Sequence, residues 1–132
     1  MVLSVNEQTF NQEVLESPIP VLVHFWAPWC GLCRNIQPLL LQFQSQYSHQ
    51  VKVVNINADE NFKLANSFRL KTLPTLILIE NGSPKQRWES LRGREELRRE
   101  LEKIQLFYSD KLYSLAGANL LSTVDWEQLS SA

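Results

Sequence analysis

The sequence predicts an α/β fold, a mixed sheet with helices on both of its faces. Three observations lead there. Val21-Leu22-Val23-His24-Phe25-Trp26 is a nearly unbroken apolar run between turn residues, the composition of a central strand covered on both sides. Strand-like runs alternate along the chain with apolar residues at helical spacing. The 132 residues, 44% hydrophobic and 20% charged, suit one domain with a core and carry too little charge for a disordered chain.

The elements follow in order. Asn6 can cap a helix bearing Phe10, Val14 and Leu15, which Ser17-Pro18 and Pro20 end. After the strand at 21–26, Ile36, Leu39, Leu40, Phe43 and Tyr47 mark a long amphipathic helix with a kink at Pro38. Val51 to Asn57 reads as a second strand, and Asn61 to Phe68 as a short helix with Phe62, Ala65 and Phe68 facing inward. Thr75 to Glu80 is a third strand, Asn81-Gly82 a hairpin turn and Lys85 to Glu89 the returning strand. Leu97, Leu101 and Ile104 then line a charged helix with Glu95–Arg99 and Arg98–Glu102 as supporting pairs; the rest of its charge is a solvated face. A core domain over residues 1–104 leaves an extension, 105–132, too apolar for a solvated tail. Leu120, Leu121 and Trp126 predict that it is helical and packs on its own domain or on a second copy of the chain, a homodimer.

Lys and Arg total 13 against 14 Asp and Glu, a formal net charge of -1, so no global field attracts nucleic acid or an anionic membrane. No apolar run approaches the roughly 18 to 20 residues that span a bilayer. The N-terminus lacks the basic flank and apolar stretch of a secretory signal, so a cytoplasmic chain is the default, although a mature form that had lost a signal would look the same. Trp26 and Trp88 read as packing, and His49 as a solvated residue at a helix end.

The chemistry concentrates in Trp29-Cys30-Gly31-Leu32-Cys33, which holds both cysteines of the chain. Two cysteines so close together cannot staple a fold. Standing at the entrance of a helix, Cys30 meets unpaired N–H groups and a partial positive charge that favour its thiolate, making it the candidate nucleophile. Cys33, one turn further in, can resolve the resulting mixed disulfide. Two other readings stay open: half a zinc site, for which His24 and His49 are the only further candidates besides carboxylates, and a pair of inert buried thiols. Trp29, in the turn beside the cysteines, serves either as contact surface or as packing.

The run from Val23 to Cys33, with Leu73-Pro74-Thr75-Leu76 and Asn81-Gly82 following at matching spacings, resembles the thioredoxin family over about residues 2 to 104. The resemblance implies a thioredoxin fold of four or five strands flanked by helices. It implies a cis bond before Pro74, which lies against the Cys-x-x-Cys. It further implies a substrate surface made by Trp29, Gly31, Leu32, Leu73 and Pro74, protein disulfides as substrates, no bound cofactor, and electrons from a separate thioredoxin-reductase-type donor. The alternative class is a thioredoxin-fold interaction module with slow redox turnover.

Departures from the family pattern carry their own expectations. Leu32 stands where proline is usual, freeing a backbone N–H that can further stabilise the Cys30 thiolate and make the pair more oxidising. His24 replaces a buried aspartate, and Asn55 its usual lysine partner, so His24 becomes the candidate proton acceptor for Cys33, set against a merely structural core histidine. The glycine of the last active-site loop corresponds to Ser90 or, with a longer loop, to Gly93.

Overall fold

A computed structural model describes residues 2–113, with side chains through Ser109. Five strands form one sheet in the order β1-β3-β2-β4-β5. They are β1 (Leu3–Ser4), β2 (Val21–Trp26), β3 (Lys52–Asn57), β4 (Thr75–Glu80) and β5 (Ser83–Trp88). β1 and β2 run parallel to β3, while β4 runs antiparallel to both β2 and β5. The helices are α1 (Gly31–Tyr47), α2 (Phe62–Ser67) and α3 (Arg94–Tyr113). The mixed, two-faced sheet is the predicted class, with β1 as an edge strand too short to leave a periodic signal.

Strand alternation divides the core into two layers. Leu22 of β2 joins Ile36, Leu40 and Phe43 of α1 and Leu97, Leu101 and Ile104 of α3 on one face. Val21, Val23 and Phe25 join Phe10, Val14 and Ile56 on the other. His24 has the parity of Leu22 and therefore lies on the face that α1 covers. Since Ile36 is fully buried in that layer, Ile36→Ala is expected to lower unfolding stability by about 2–5 kcal/mol in urea titrations.

Several local expectations are revised. Asn6 does cap, its Oδ1 accepting from the amides of Gln8 at 2.9 Å and Thr9 at 3.0 Å, but the segment Asn11–Leu15 is π-helical and Leu15 is exposed. Phe62 faces solvent; the inward face of α2 is Leu64, Ala65 and Phe68, because the helix begins at Phe62 and its inward stripe starts two residues later. A cap from elsewhere in the chain fixes that start: Glu7 Oε2 accepts from the amides of Lys63 at 2.7 Å and Leu64 at 3.1 Å. On α3 the ion pairs include Arg98–Glu95 at 3.8 Å and Lys103–Glu100 at 3.1 Å, one turn apart at i,i+3 rather than the expected i,i+4. The Asn81-Gly82 turn has φ of 53° and 78°, the two positive values that a tight two-residue hairpin needs.

α3 continues without a break across residue 104. Tyr108 is buried, and its hydroxyl donates to Glu80 Oε1 at 2.9 Å, tying the helix to the end of β4. Burial first, and the Glu80 carboxylate second, hold the phenol pKa far above its ordinary value. Tyr108→Phe is expected to cost about 1–2 kcal/mol of stability, read from the urea midpoint. The expected burial of Leu120, Leu121 or Trp126 lies outside the described residues.

Candidate functional site

The end of β2 feeds directly into the cysteine pair. The Cys30 amide closes a turn on the Ala27 carbonyl at 3.0 Å, and Cys30, with extended backbone, is the N-cap of α1. Its sulfur accepts from the Cys33 amide at 3.1 Å, so the first turn of the helix directs an N–H at the first cysteine. The two sulfurs are bonded, with Cα atoms 5.3 Å apart. Cys30 is 5% exposed and Cys33 1%, the order expected of a cysteine at the entrance and one a turn inside. In this disulfide form the hydrogen bond on the Cys30 sulfur comes from the Cys33 amide.

The surroundings are built from distant segments. Trp29 is 67% exposed, and its indole donates to Asp59 Oδ2 at 2.9 Å. Asp59 is in turn braced by the Asn57 side chain, which accepts its amide at 2.9 Å. Trp29 is thus surface, held upright by a carboxylate thirty residues away that no local pattern marks. Arg34 steadies the preceding turn by donating to the Pro28 carbonyl. Gly31 is exposed and Leu32 half-buried. The Leu73–Pro74 bond is cis, Pro74 is buried, and Leu73 packs partly against the second core layer. Because Thr75 pairs with Phe25 across β2 and β4, the antiparallel register brings Pro74 to the end of the sheet from which the cysteine turn leaves.

Beneath α1 lies His24, fully buried. It is directly abreast of Asn55 in the β2–β3 register, and its Nδ1 is 3.0 Å from Asn55 Oδ1. Burial lowers its pKa from 6.5 to about 4, with Asn55 and Gln37 pulling partway back. Gln37 acts on the ring from α1 but completes no hydrogen bond to Nε2, which has no partner among the described residues. Cys33 precedes Gln37 by four residues, so the two share a helix face. His49 is exposed in the turn beyond the far end of α1, with about 21 Å of helix between Cys33 and that end. Among the described residues no three His, Cys, Asp or Glu side chains converge on a metal position. No helix among them is long and apolar enough to cross a membrane.

A bonded cysteine pair at the junction of a central strand and a helix N-terminus, with a cis-proline at the same end of the sheet, defines a thiol–disulfide exchange protein. Known proteins agree. The Thioredoxin family model matches residues 1–103. Over 79 residues the chain is 52% identical to Thioredoxin 1 of Synechococcus elongatus, covering 60% of this chain and 74% of that one. Over 78 residues it is 46% identical to Thioredoxin 1 of Nostoc sp., covering 59% and 73%. To the chloroplastic M-type thioredoxin of Chlamydomonas reinhardtii it is 42% identical over 79 residues, 60% of this chain and 56% of that one. The chain belongs to the thioredoxin family. It is a thiol–disulfide oxidoreductase, with the activity of a protein-disulfide reductase.

Proposed function

We propose that the reduced protein attacks substrate disulfides through Cys30, that Cys33 resolves the mixed disulfide, and that His24 accepts the Cys33 proton. The observation that carries the first assignment is the Cys33 amide aimed at the Cys30 sulfur at 3.1 Å, a donor that favours charge on that atom. The Cys30 thiolate displaces one substrate sulfur, which leaves as a thiolate and is protonated from water. Cys33 then loses its proton and attacks Cys30, the Cys30–substrate bond breaks, and the second substrate sulfur departs. The substrate gains two electrons and the enzyme is left as the disulfide.

Deprotonating Cys33 is the demanding part, since it is buried in the first turn of α1. A histidine with a pKa of about 4 is a weak base. Complete transfer from an ordinary thiol would be uphill by about 6 kcal/mol, so the proton moves as the new S–S bond forms and passes on to the departing sulfur. Trp29, Gly31, Leu32, Leu73 and Pro74 form the surface on which the substrate chain lies. Electrons come from a thioredoxin-reductase-type donor, and the cytoplasm is the proposed compartment.

Alkylation of the reduced protein at neutral pH tests the roles: Cys30 should label first, and equal rates or faster labelling of Cys33 would overturn the assignment. For the surface, Trp29→Ala should raise KM for a protein disulfide such as insulin while leaving the reaction with a small disulfide nearly unchanged. Equal losses on both substrates would remove Trp29 from it.

A further inference from the structure

We propose that Asn55 is a positioning residue for disulfide exchange: by accepting the proton of His24 Nδ1, it leaves the lone pair on Nε2, the nitrogen free to serve Cys33. The inference rests on the reading of His24 as the proton acceptor, and three observations support it. The parallel register sets His24 and Asn55 abreast, so their contact is fixed by the two inner strands of the sheet rather than by a loop. With the Asn55 amide oriented so that its oxygen is 3.0 Å from Nδ1, that oxygen can only accept, which assigns the proton between them to the imidazole. His24 is fully buried and no hydrogen bond to Nε2 is completed among the described residues, although the Gln37 side chain of α1, one helical turn beyond Cys33, is near enough to act on the ring, so a lone pair on Nε2 faces the helix that carries Cys33.

The alternative tautomer would be inert. With hydrogen on Nε2 and the lone pair on Nδ1, the ring would present a donor where an acceptor is needed, and the Asn55 oxygen would face a second lone pair. Asn55 touches neither sulfur nor substrate, so its influence passes through the orientation and tautomer of His24 alone. An asparagine does this without adding charge to the core, which keeps the neighbouring imidazole neutral.

Nitrogen-15 NMR of the full-length, histidine-labelled protein tests the proposal at pH 7. The wild type should hold its His24 proton on Nδ1. Asn55→Leu should shift the ring toward the Nε2-protonated form and slow mixed-disulfide resolution by about tenfold, with the rate of first attack by Cys30 unchanged. Asn55→Thr, whose neutral hydroxyl oxygen can still accept, should retain the Nδ1 proton and restore part of the rate. It also serves as the second variant if the leucine does not fold. A proton on Nε2 in the wild type, or an unchanged tautomer in Asn55→Leu, would overturn the proposal, as would a shifted tautomer with an unchanged resolution rate. Failure of the underlying reading is separable: His24→Ala would then resolve at the wild-type rate, whatever the NMR shows about Asn55.

Discussion

Cys30→Ser is expected to reduce turnover of protein disulfides to the uncatalysed rate, while Cys33→Ser should arrest the reaction after the first attack. The two outcomes differ because the cysteines differ in position, not in kind. Cys30 caps the helix and receives an N–H on its sulfur; Cys33 is enclosed a turn inside. Removing the capping sulfur eliminates the nucleophile, since a serine hydroxyl is not ionised near neutral pH. Removing the enclosed one leaves the nucleophile able to form a mixed disulfide that nothing resolves. Mass spectrometry of the reduced Cys33→Ser protein mixed with a disulfide substrate should show a stable one-to-one adduct, cleaved by dithiothreitol. No adduct from Cys33→Ser, together with an adduct from Cys30→Ser, would reverse the roles.

The second large effect is on stability. His24 has a folded-state pKa of about 4, below the 6.5 of an exposed histidine. Above pH 6.5 it is neutral in folded and unfolded chains alike and contributes no pH dependence. As the pH falls from 6.5 toward 4, the unfolded chain takes up a proton that the folded core refuses. Stability therefore declines through that window by about 3 kcal/mol and levels off below it. Urea titrations of the oxidised protein at pH 7 and pH 4, compared with the non-titrating His24→Gln, should show the wild type losing about that much more. Equal losses in the two proteins would mean that His24 does not resist protonation. The same value moves the kinetic window: resolution should lose its His24 contribution as pH falls through about 4, with His24 neutral between pH 5 and 8.

Much of the fold was legible because its signals are local. The buried run at Val21–Trp26, the strand-like run of β3, the helical stripe of Ile36, Leu40 and Phe43 and the Asn-Gly turn each specify an element without reference to the others. The cysteine pair was legible for the same reason: strand, turn and helix start are contiguous in the chain. Phe62 shows where local reading fails. A phenylalanine at the start of a short helix satisfies the pattern, yet the inward stripe falls on Leu64, Ala65 and Phe68 and leaves Phe62 exposed, while Glu7 of another segment caps the helix start.

By itself, then, the sequence determined the order of strands and helices from β2 onward, the place of Cys30 and Cys33 at a helix entrance, and the burial of His24. Tertiary structure alone decided what surrounds them. Asn55 meets His24 because β2 and β3 pair in one register, and Asp59 meets Trp29 because the chain leaving β3 returns to the end of β2. Pro74 reaches the same end because β4 runs antiparallel to β2. A one-residue shift in a strand's register would turn its side chains to the opposite face. Those registers are selected by the fit of two core layers together, a property of the packed sheet that no single segment contains.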